Sequence, residues 1–478
     1  MSGQQQSDFA AELQPNIDRY RAAMGNSSDL IIREAVISAG HQQAAVVYLD
    51  GMVDNVQLQQ SVITPLLNRI QGEHITLAEI KESILESIDV KFIYSFRQSL
   101  DQLMDGSVLL LINGHKLGLA IPLPGWEERS ITESQIQTVV RGPRDSFNET
   151  MRTNTTLIRR RIKDPNLRVV SIKVGHPSKT DVTVVYLEGK ADAALVQQML
   201  DKLRNSKQHH VLESEYLEEI LLADQPKSIF PTIYNTDRPD SIARAIMAGR
   251  IAFVTDNTPF VLFAPAFFTD FLASAEDRSQ SVVFSRLVLW LRYISLCICL
   301  LAPSVYIALT TFHQDMLPTQ LLLSLAAQRE GIPFPAFVEA LIMEITFEIL
   351  REAGIRMPRT VGQAMSIVGT IVVGQAAVEA TIVSAVMVII VSITAISSFV
   401  IPAYSMSIPI RMIRFLFMGL AASFGAYGLT IGVLLLIVHL CSLKSFGNPY
   451  TGSHAQNGKK DTLFRISGLS LMNSQKRG

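Results

Sequence analysis

The segment from residue 366 to residue 400 constrains this chain more than any other. In 35 residues Glu379 is the only ionisable side chain, and about 20 apolar residues suffice to cross a lipid bilayer. A segment of this kind cannot remain in water, so the sequence predicts a membrane-embedded protein. A carboxylate in such surroundings is costly unless it is paired or faces water, which makes Glu379 a candidate for a structural hydrogen bond or for an ion path.

The helix expected before this segment carries a narrow acidic stripe. Glu344, Glu348 and Glu352 are spaced i, i+4, i+8, so they share one face with Arg351, while apolar residues occupy most other positions. In a bundle within lipid, such charges turn toward a partner or a water-filled path. The candidate pore or gate residues are therefore Glu344, Glu348, Glu352, Gly374 and Glu379. The alternative is that Arg351, Arg356 and Arg359 merely neutralise the stripe.

Length and composition bound the remaining possibilities. The 478 residues have room for two or three domains. A net charge of -1 argues against a nucleic-acid binder, which relies on a basic excess. The three cysteines lie in apolar runs, so no disulfide framework or metal site is indicated. The polar N-terminus does not resemble a signal peptide, and the soluble part is expected on the cytoplasmic side.

The first 280 residues contain a repeated pattern. Residues 44–49 (AAVVYL) predict a buried strand, 53–67 and 77–103 predict helices, and 108–121 predict a hairpin around Asn113-Gly114. The strand-turn sequence of residues 46–51 returns at 184–189, about 140 residues later. We infer two related subdomains, hence an α+β or α/β N-terminal region followed by an all-α multi-pass membrane domain.

These observations predict six segments. They are a mobile N-terminus (1–28), α/β subdomain 1 (29–125), a basic helical connector (126–165), α/β subdomain 2 (166–280), a transmembrane helical domain (285–443) and a basic cytoplasmic tail (444–478).

The connector carries seven basic residues between Arg141 and Lys163. It is a candidate to dock on a neighbouring subunit or on anionic lipid headgroups, and its candidate contact residues are Arg141, Arg144, Arg159 and Arg160. The alternative is a solvated basic helix paired with nearby acids.

Two further membrane spans are expected, 287–312, which is interrupted by Arg292 and Pro303, and 412–440. Arg292 lies near the end of the first span, where its side chain can reach the headgroups. The second span carries Gly425, Gly428 and Gly432, small residues that let helices pack closely, either within the chain or in an oligomer. The basic tail favours a cytoplasmic C-terminus and so an even number of crossings. Either 334–353 spans and 366–400 is one tilted helix, the arrangement we prefer, or 334–353 lies at the interface and 366–400 crosses twice.

Several motifs resemble one family. The segments RGPRDSF, NTTLIRRRI, FHQDMLPT, EALIMEITFEILREAG, GQAAVEATIVS and SFGNPY are similar to those of the A subunit of GerA-type germinant receptors of spore-forming bacteria, over about residues 29–450. Two places depart from the family pattern, Asp237 and the segment 276–279.

The resemblance implies a spore inner-membrane protein that triggers germination in response to nutrients such as amino acids, sugars or nucleosides. It implies a transporter-like B subunit and a lipoprotein C subunit as partners, and a homo-oligomer, a pentamer, with a cation-conducting path. No cofactor is expected, and the net charge argues against a nucleic-acid partner.

Two functional hypotheses follow. In the first the chain is a ligand-gated cation channel subunit, because rings of carboxylates select cations. In the second it is a scaffold or transport subunit that does not conduct. An enzyme is disfavoured, since no Walker, Gly-x-Gly-x-x-Gly or Gly-x-Ser-x-Gly pattern occurs.

Overall fold

Two sheets with the same strand order form the first of two units in the computed structural model. The structure describes residues 8–37, 42–68, 76–84, 89–125, 142–206, 208, 210–356 and 374–452. The first unit comprises Met1–Pro226 and Ile233–Pro265, and the second comprises Lys227–Thr232 and Ala266–Gly478.

The two sheets of the α/β unit are five-stranded and antiparallel, ordered β1-β2-β4-β5-β3 and β6-β7-β9-β10-β8. The strands are β1 (Leu30–Val36), β2 (Gln43–Leu49), β3 (Lys91–Ile93), β4 (Ser107–Ile112), β5 (Gly118–Pro122), β6 (Leu167–Val174), β7 (Thr180–Leu187), β8 (Tyr234–Thr236), β9 (Ile251–Thr255) and β10 (Val261–Ala264). The matching orders confirm the predicted pair of related subdomains. The short edge strands β3 and β8 were not anticipated.

Helices cover both faces of the first sheet. The helices of this unit are α1 (Leu13–Ala23), α2 (Asn55–Gln57 continuing through Leu58–Ile63 and Thr64–Asn68), α3 (Leu77–Glu79 and Ile80–Ile84), α4 (Phe96–Met104), α5 (Met151–Arg161), α6 (Ala193–Arg204), α7 (Ser214–Leu222) and α8 (Pro239–Met247). In β2, Val46 packs with the side chains of α2 and α3, whereas Val47 packs with α1 and α4. This alternation is what a strand buried on both faces requires.

The helices α1 and α5 open the two repeats in the same way. In α1 the buried Asn16 accepts the amide N–H of Ala10 at 3.0 Å and donates to the Ala10 carbonyl at 2.8 Å. In α5 the buried Asn154 makes the same two bonds with Asn148, at 2.9 and 2.6 Å. The predicted boundaries therefore need correction: residues 8–28 are an ordered part of the first repeat, and α5 is the first helix of the second.

The basic helix α5 also joins the two repeats. Arg159, with only 2% of its side chain exposed, bonds Asp29 at 2.7 and 3.0 Å and the Ser27 hydroxyl at 3.1 Å. Next to it, the Ser28 amide donates to the Val169 carbonyl on the outer edge of β6 at 2.8 Å. The edge strand of the second sheet is thus partly covered by the first repeat, which satisfies its backbone groups.

The second unit is mainly helical. Its helices are α9 (Phe268–Leu272), α10 (Val282–Thr311), α11 (Thr319–Arg329), α12 (Ala336–Arg356), α13 (Gly374–Glu379), α14 (Ala385–Phe399) and α15 (Tyr404–Ser442), with short 3-10 turns at Ala275–Arg278 and Gln314–Met316. A small hairpin of β11 (Lys444–Ser445) and β12 (Asn448–Pro449) follows α15. Among the described residues, α10 and α15 are long and apolar enough to cross a membrane.

Three expectations about these helices are corrected. The preferred single helix over 366–400 is wrong in its described part, because a turn separates α13 from α14 and Thr381 has a φ of 55°. Pro303 does not interrupt α10. Arg292 is buried and does not reach outward, since it donates to the Asp277 carboxylate at 2.8 Å and to the Leu272 carbonyl at 3.0 Å.

The helix α15 reverses direction at Gly425, whose φ of 62° and ψ of -143° are not helical. A Cβ placed on Gly428 would lie 2.5 Å from the carbonyl oxygen of Leu420. In a straight helix two residues eight apart are separated by about 12 Å. The predicted span 412–440 is therefore an antiparallel pair of helices, 404–424 and 426–442.

The position of Gly425 yields a prediction. We expect Gly425→Ala to lower the amount of folded protein severely, because a Cβ there needs a strained positive φ and would lie 2.8 Å from Cε1 of His313. Gly419→Ala is the matched control, since its Cβ would meet no atom within 4 Å. Immunoblots of membrane fractions measure both, and equal abundance would contradict the tight reversal.

A second prediction concerns pH. Burial, and to a smaller extent repulsion by Glu215, raises the pKa of Glu218 on α7 from 4.5 to about 7. Because the folded pKa exceeds the unfolded one, ionisation of Glu218 destabilises the fold; the penalty is absent below about pH 4.5 and complete above about pH 7.

We therefore expect Glu218→Gln to raise the free energy of unfolding by about 1–3 kcal/mol at pH 8 and by little at pH 5. Hydrogen exchange of β6–β10 amides measures this opening free energy. The exposed neighbour Glu219 provides the control Glu219→Gln. A gain that is the same at both pH values would refute the assignment.

Candidate functional site

The acidic stripe of α12 lies partly inside the helical unit, in a cluster of charged side chains. Glu344 and Arg414 have no exposed side-chain surface, and Arg414 Nη2 is 2.8 Å from Glu344 Oε2. Arg414 on α15 therefore neutralises Glu344 on α12. An unpaired charge at such a position would cost several kcal/mol, so the pair must form for these helices to pack.

Glu348, one turn further along α12, meets three arginines. Its carboxylate lies 2.7 Å from Arg411 Nη1, 3.2 Å from Arg414 Nη2 and 3.8 Å from Arg351 Nη1. Arg351 in turn donates to the Ser398 hydroxyl near the end of α14 at 2.5 Å. The cluster thus ties α12, α14 and α15 together.

Aromatic rings complete the surroundings of Arg351. Its guanidinium lies 4.9 Å from the ring centre of Phe347 and 5.1 Å from that of Phe399. Cation–π contacts of this kind stabilise a cation that has little access to water. The arginine is therefore held between a carboxylate, a hydroxyl and two rings.

The other predicted pore residues lie elsewhere. Glu352 is exposed over 60% of its side chain and pairs with Arg356, and Glu379 is exposed and accepts a hydrogen bond from Gln375 at 2.8 Å. Gly374 is buried, and a Cβ on it would lie 3.6 Å from Val388. Arg359 lies outside the described residues. The stripe therefore runs from a buried end at Glu344 to an exposed end at Glu352.

A second cluster, which sequence reasoning missed, surrounds Glu339 at the start of α12. Its carboxylate has no exposed surface, lies 3.3 Å from Arg329 Nη2 and accepts the Ser384 amide at 3.0 Å. Ser384 is the N-cap of α14, where a carboxylate interacts favourably with the helix dipole. Glu339 thus fixes the turn between α13 and α14, beside Glu379.

Sequence reasoning also missed Arg411 and Arg414. The available signal was two arginines three residues apart in an otherwise apolar helix, a pattern that implies a buried partner. Of the expected partners, Arg356 pairs with Glu352, and the arginine that neutralises Glu344 comes from α15.

The candidate subunit-interface residues have varied positions. Arg159 is buried against Asp29 within the chain. Arg144 is exposed and Arg160 is half-buried, and Arg141 lies outside the described residues. Gly425 forms the reversal of α15, while Gly428 and Gly432 face Leu420 and Phe417 of the same helix pair. The glycines thus have a packing role inside the chain; a role between subunits stays a prediction.

The described residues offer charge pairs and no metal centre. Among them, no group of three or more histidine, cysteine, aspartate or glutamate side chains could hold a metal ion. What the cluster can do chemically is fix helix positions and present acidic side chains at its exposed end.

Comparison with known proteins gives the relationship directly. Residues 18–477 match the family described as Bacillus/Clostridium GerA spore germination protein. The chain is 46% identical to spore germination protein KA of Bacillus subtilis (strain 168), over 96% of this chain and 85% of that protein. It is 40% identical to the uncharacterized membrane protein YfkQ of the same strain, over 93% of this chain and 86% of that protein.

One solved structure is also similar. It is the crystal structure of the N-terminal domain of the A subunit of the Bacillus megaterium spore germinant receptor GerK3, at 32% identity over 55% of this chain and 98% of that chain, with a TM-score of 0.44. The family match over almost the whole length decides the relationship: this chain belongs to the GerA family of Bacillus and Clostridium spore germination proteins.

Proposed function

We propose that this chain is the A subunit of a nutrient germinant receptor in the spore inner membrane, with its α/β unit on the cytoplasmic side. In this proposal it assembles as a homo-oligomer of five subunits, together with a transporter-like B subunit and a lipoprotein C subunit, and forms a cation channel that nutrients open. Membership of the GerA family supports the receptor assignment, and no catalytic chemistry is required of the chain.

The membrane assignment rests on where charged and apolar side chains lie in the helical unit. Its Glu344–Arg414 pair is completely buried, whereas large apolar side chains are exposed on three helices. On α14 the exposed residues Ile389, Ile393, Ile396 and Phe399 form one ridge, and α10 and α15 show similar surfaces. Such large apolar areas are typical of contact with lipid or with other subunits.

The ends of the helices support an even number of crossings. The carbonyl of Leu272 on α9 accepts a hydrogen bond from Arg292 in the first half of α10. Phe268 and Phe271 on the same short helix pack against Tyr450, just after α15. The start of α10 and the end of α15 therefore lie at the same end of the helical unit, as an even number of passages requires.

The acidic residues available to an ion path are the exposed ones, Glu352, which pairs with the exposed Arg356, and Glu379. Glu344 and Glu348 are engaged by arginines of the same chain. Glu352 and Glu379 are exposed. In a ring of subunits each would supply one carboxylate per subunit, and such rings attract cations.

A scaffold that does not conduct is the alternative, and one observation favours it. The three arginines around Glu344 and Glu348 neutralise two of the three glutamates of the predicted stripe. Recording from the purified chain in planar bilayers distinguishes the two functions, because single-channel currents are incompatible with a pure scaffold.

The channel hypothesis predicts the effect of Glu379→Ala. We expect slower potassium release from spores exposed to a fixed mixture of amino acids, glucose and inosine, because one carboxylate is removed from each subunit of the ring. Abundance of the chain should be unchanged, since Glu379 is exposed.

The control is Glu330→Ala, at an exposed glutamate just after α11. Spores lacking this chain define the background release. Release equal to that of the parent, at equal abundance, would remove Glu379 from the ion path.

The buried pair predicts a contrast in stability. We expect Glu344→Met or Arg414→Met alone to destabilise the chain by about 3–5 kcal/mol, because each leaves an unpaired charge without access to water. The double variant should be milder, since it removes both charges. Abundance in membranes and thermal aggregation measure the effect; a double variant worse than either single one would contradict the pairing.

A further inference from the structure

The motif SFGNPY, which closes the family resemblance, has no part in the proposed ion path. Its residues 445–450 form the hairpin of β11 and β12 and end at Tyr450. Phe446 and Gly447 at the turn have φ values of 49° and 83°. Two successive positive φ values make a tight two-residue turn, so the hairpin is rigid and short.

Ser445 connects this hairpin to two distant segments of the chain. Its hydroxyl donates to the Thr232 carbonyl at 2.8 Å and accepts the Ala266 amide at 3.1 Å. The same amide lies 3.2 Å from the Thr232 carbonyl. Ser445 has no exposed surface, so both bonds form away from water, where leaving one unmade is costly.

Tyr450 fixes the other end of the hairpin. Its carbonyl accepts the Phe268 amide at 3.0 Å, its own amide donates to the Leu443 carbonyl at 2.9 Å, and its ring packs against Phe268 and Phe271. The ring is completely buried, and its hydroxyl has no hydrogen-bond partner among the described residues. Tyr450 therefore acts through its ring and backbone.

The segments held in this way are the places where the chain changes units. Lys227–Thr232 and the residues from Ala266 onward belong to the helical unit, whereas Ile233–Pro265 belongs to the α/β unit. Ser445 thus bonds Thr232, the last residue before the chain enters the α/β unit, and Ala266, the first residue after the chain leaves it. The hairpin itself continues directly from α15.

We propose that the hairpin 444–449, with Tyr450, is a coupling clasp that transmits displacement of these two connecting segments to α15. The inference rests on the proposed function, because it concerns how a nutrient signal reaches the helices. The segment Lys227–Thr232 also contacts α15 directly, because Ser228 Oγ lies 3.1 Å from Nε2 of His439. The hairpin adds bonds that reach both connecting segments at once. Ser445 and Tyr450 are positioning residues in this arrangement.

Four variants test the clasp. Ser445→Ala removes both hydroxyl bonds, and Tyr450→Ala removes the ring. Their matched controls are Ser442→Ala, whose hydroxyl bonds only the His439 carbonyl of its own helix, and Tyr450→Phe, which removes only the unpartnered hydroxyl.

Two measurements are made on the full chain. The first is hydrogen exchange in membrane preparations. For Ser445→Ala, exchange should become about two- to tenfold faster in peptides covering 266–272 and 443–452, the range that one hydrogen bond supplies. Exchange should stay unchanged in both controls. In spores at equal chain abundance, the concentration of the amino acid, glucose and inosine mixture needed for half-maximal potassium release should rise for Ser445→Ala and Tyr450→Ala, and should not rise for the controls.

The outcomes separate the two proposals. Unchanged exchange in Ser445→Ala would overturn the clasp. Faster exchange with a parent-like release curve would overturn the coupling and leave the proposed function standing. Parent spores that release no more potassium than spores lacking the chain would overturn both.

Discussion

The buried pair of Glu344 and Arg414 is the interaction on which the helical unit depends. Neither side chain has exposed surface, and either charge alone would be too costly to bury. Each helix can therefore occupy its position only when the other is present. The same cluster reaches α14 through Arg351 and Ser398, so α12, α14 and α15 share one arrangement that satisfies their charges.

Periodicity predicted the repeated part of the fold, and it did so for physical reasons. Strand β2 and the hairpin of β4 and β5 are short, strongly apolar and bounded by turn residues. These local signals do not depend on tertiary contacts, so they can be recognised in the sequence. The role of α1 and α5 was missed because a polar helix with a buried asparagine has no distinctive period. Asn16 and Asn154 acquire meaning only when their partners six residues earlier are known.

The site was predicted less completely, because a stripe on one helix does not identify what faces it. The spacing of Glu344, Glu348 and Glu352 placed them on one face, yet only the tertiary structure brings Arg411 and Arg414 to the first two. Arg414 lies inside the segment 412–440 that was treated as a plain span, and Arg411 lies one residue before it. Glu339 was overlooked because it lies off the stripe, at the cap of a helix 45 residues later.

The reversal at Gly425 has a consequence for orientation. A hydropathy count treats residues 404–442 as a single passage, whereas a chain that turns back within it contributes two. In the proposed membrane arrangement, one glycine with a positive φ therefore changes the parity of the count and with it the side on which the C-terminus lies. The two helices meet at Gly425 without a loop between them. A protease has therefore no linker to cut there, and a reporter has no linker in which it can be inserted.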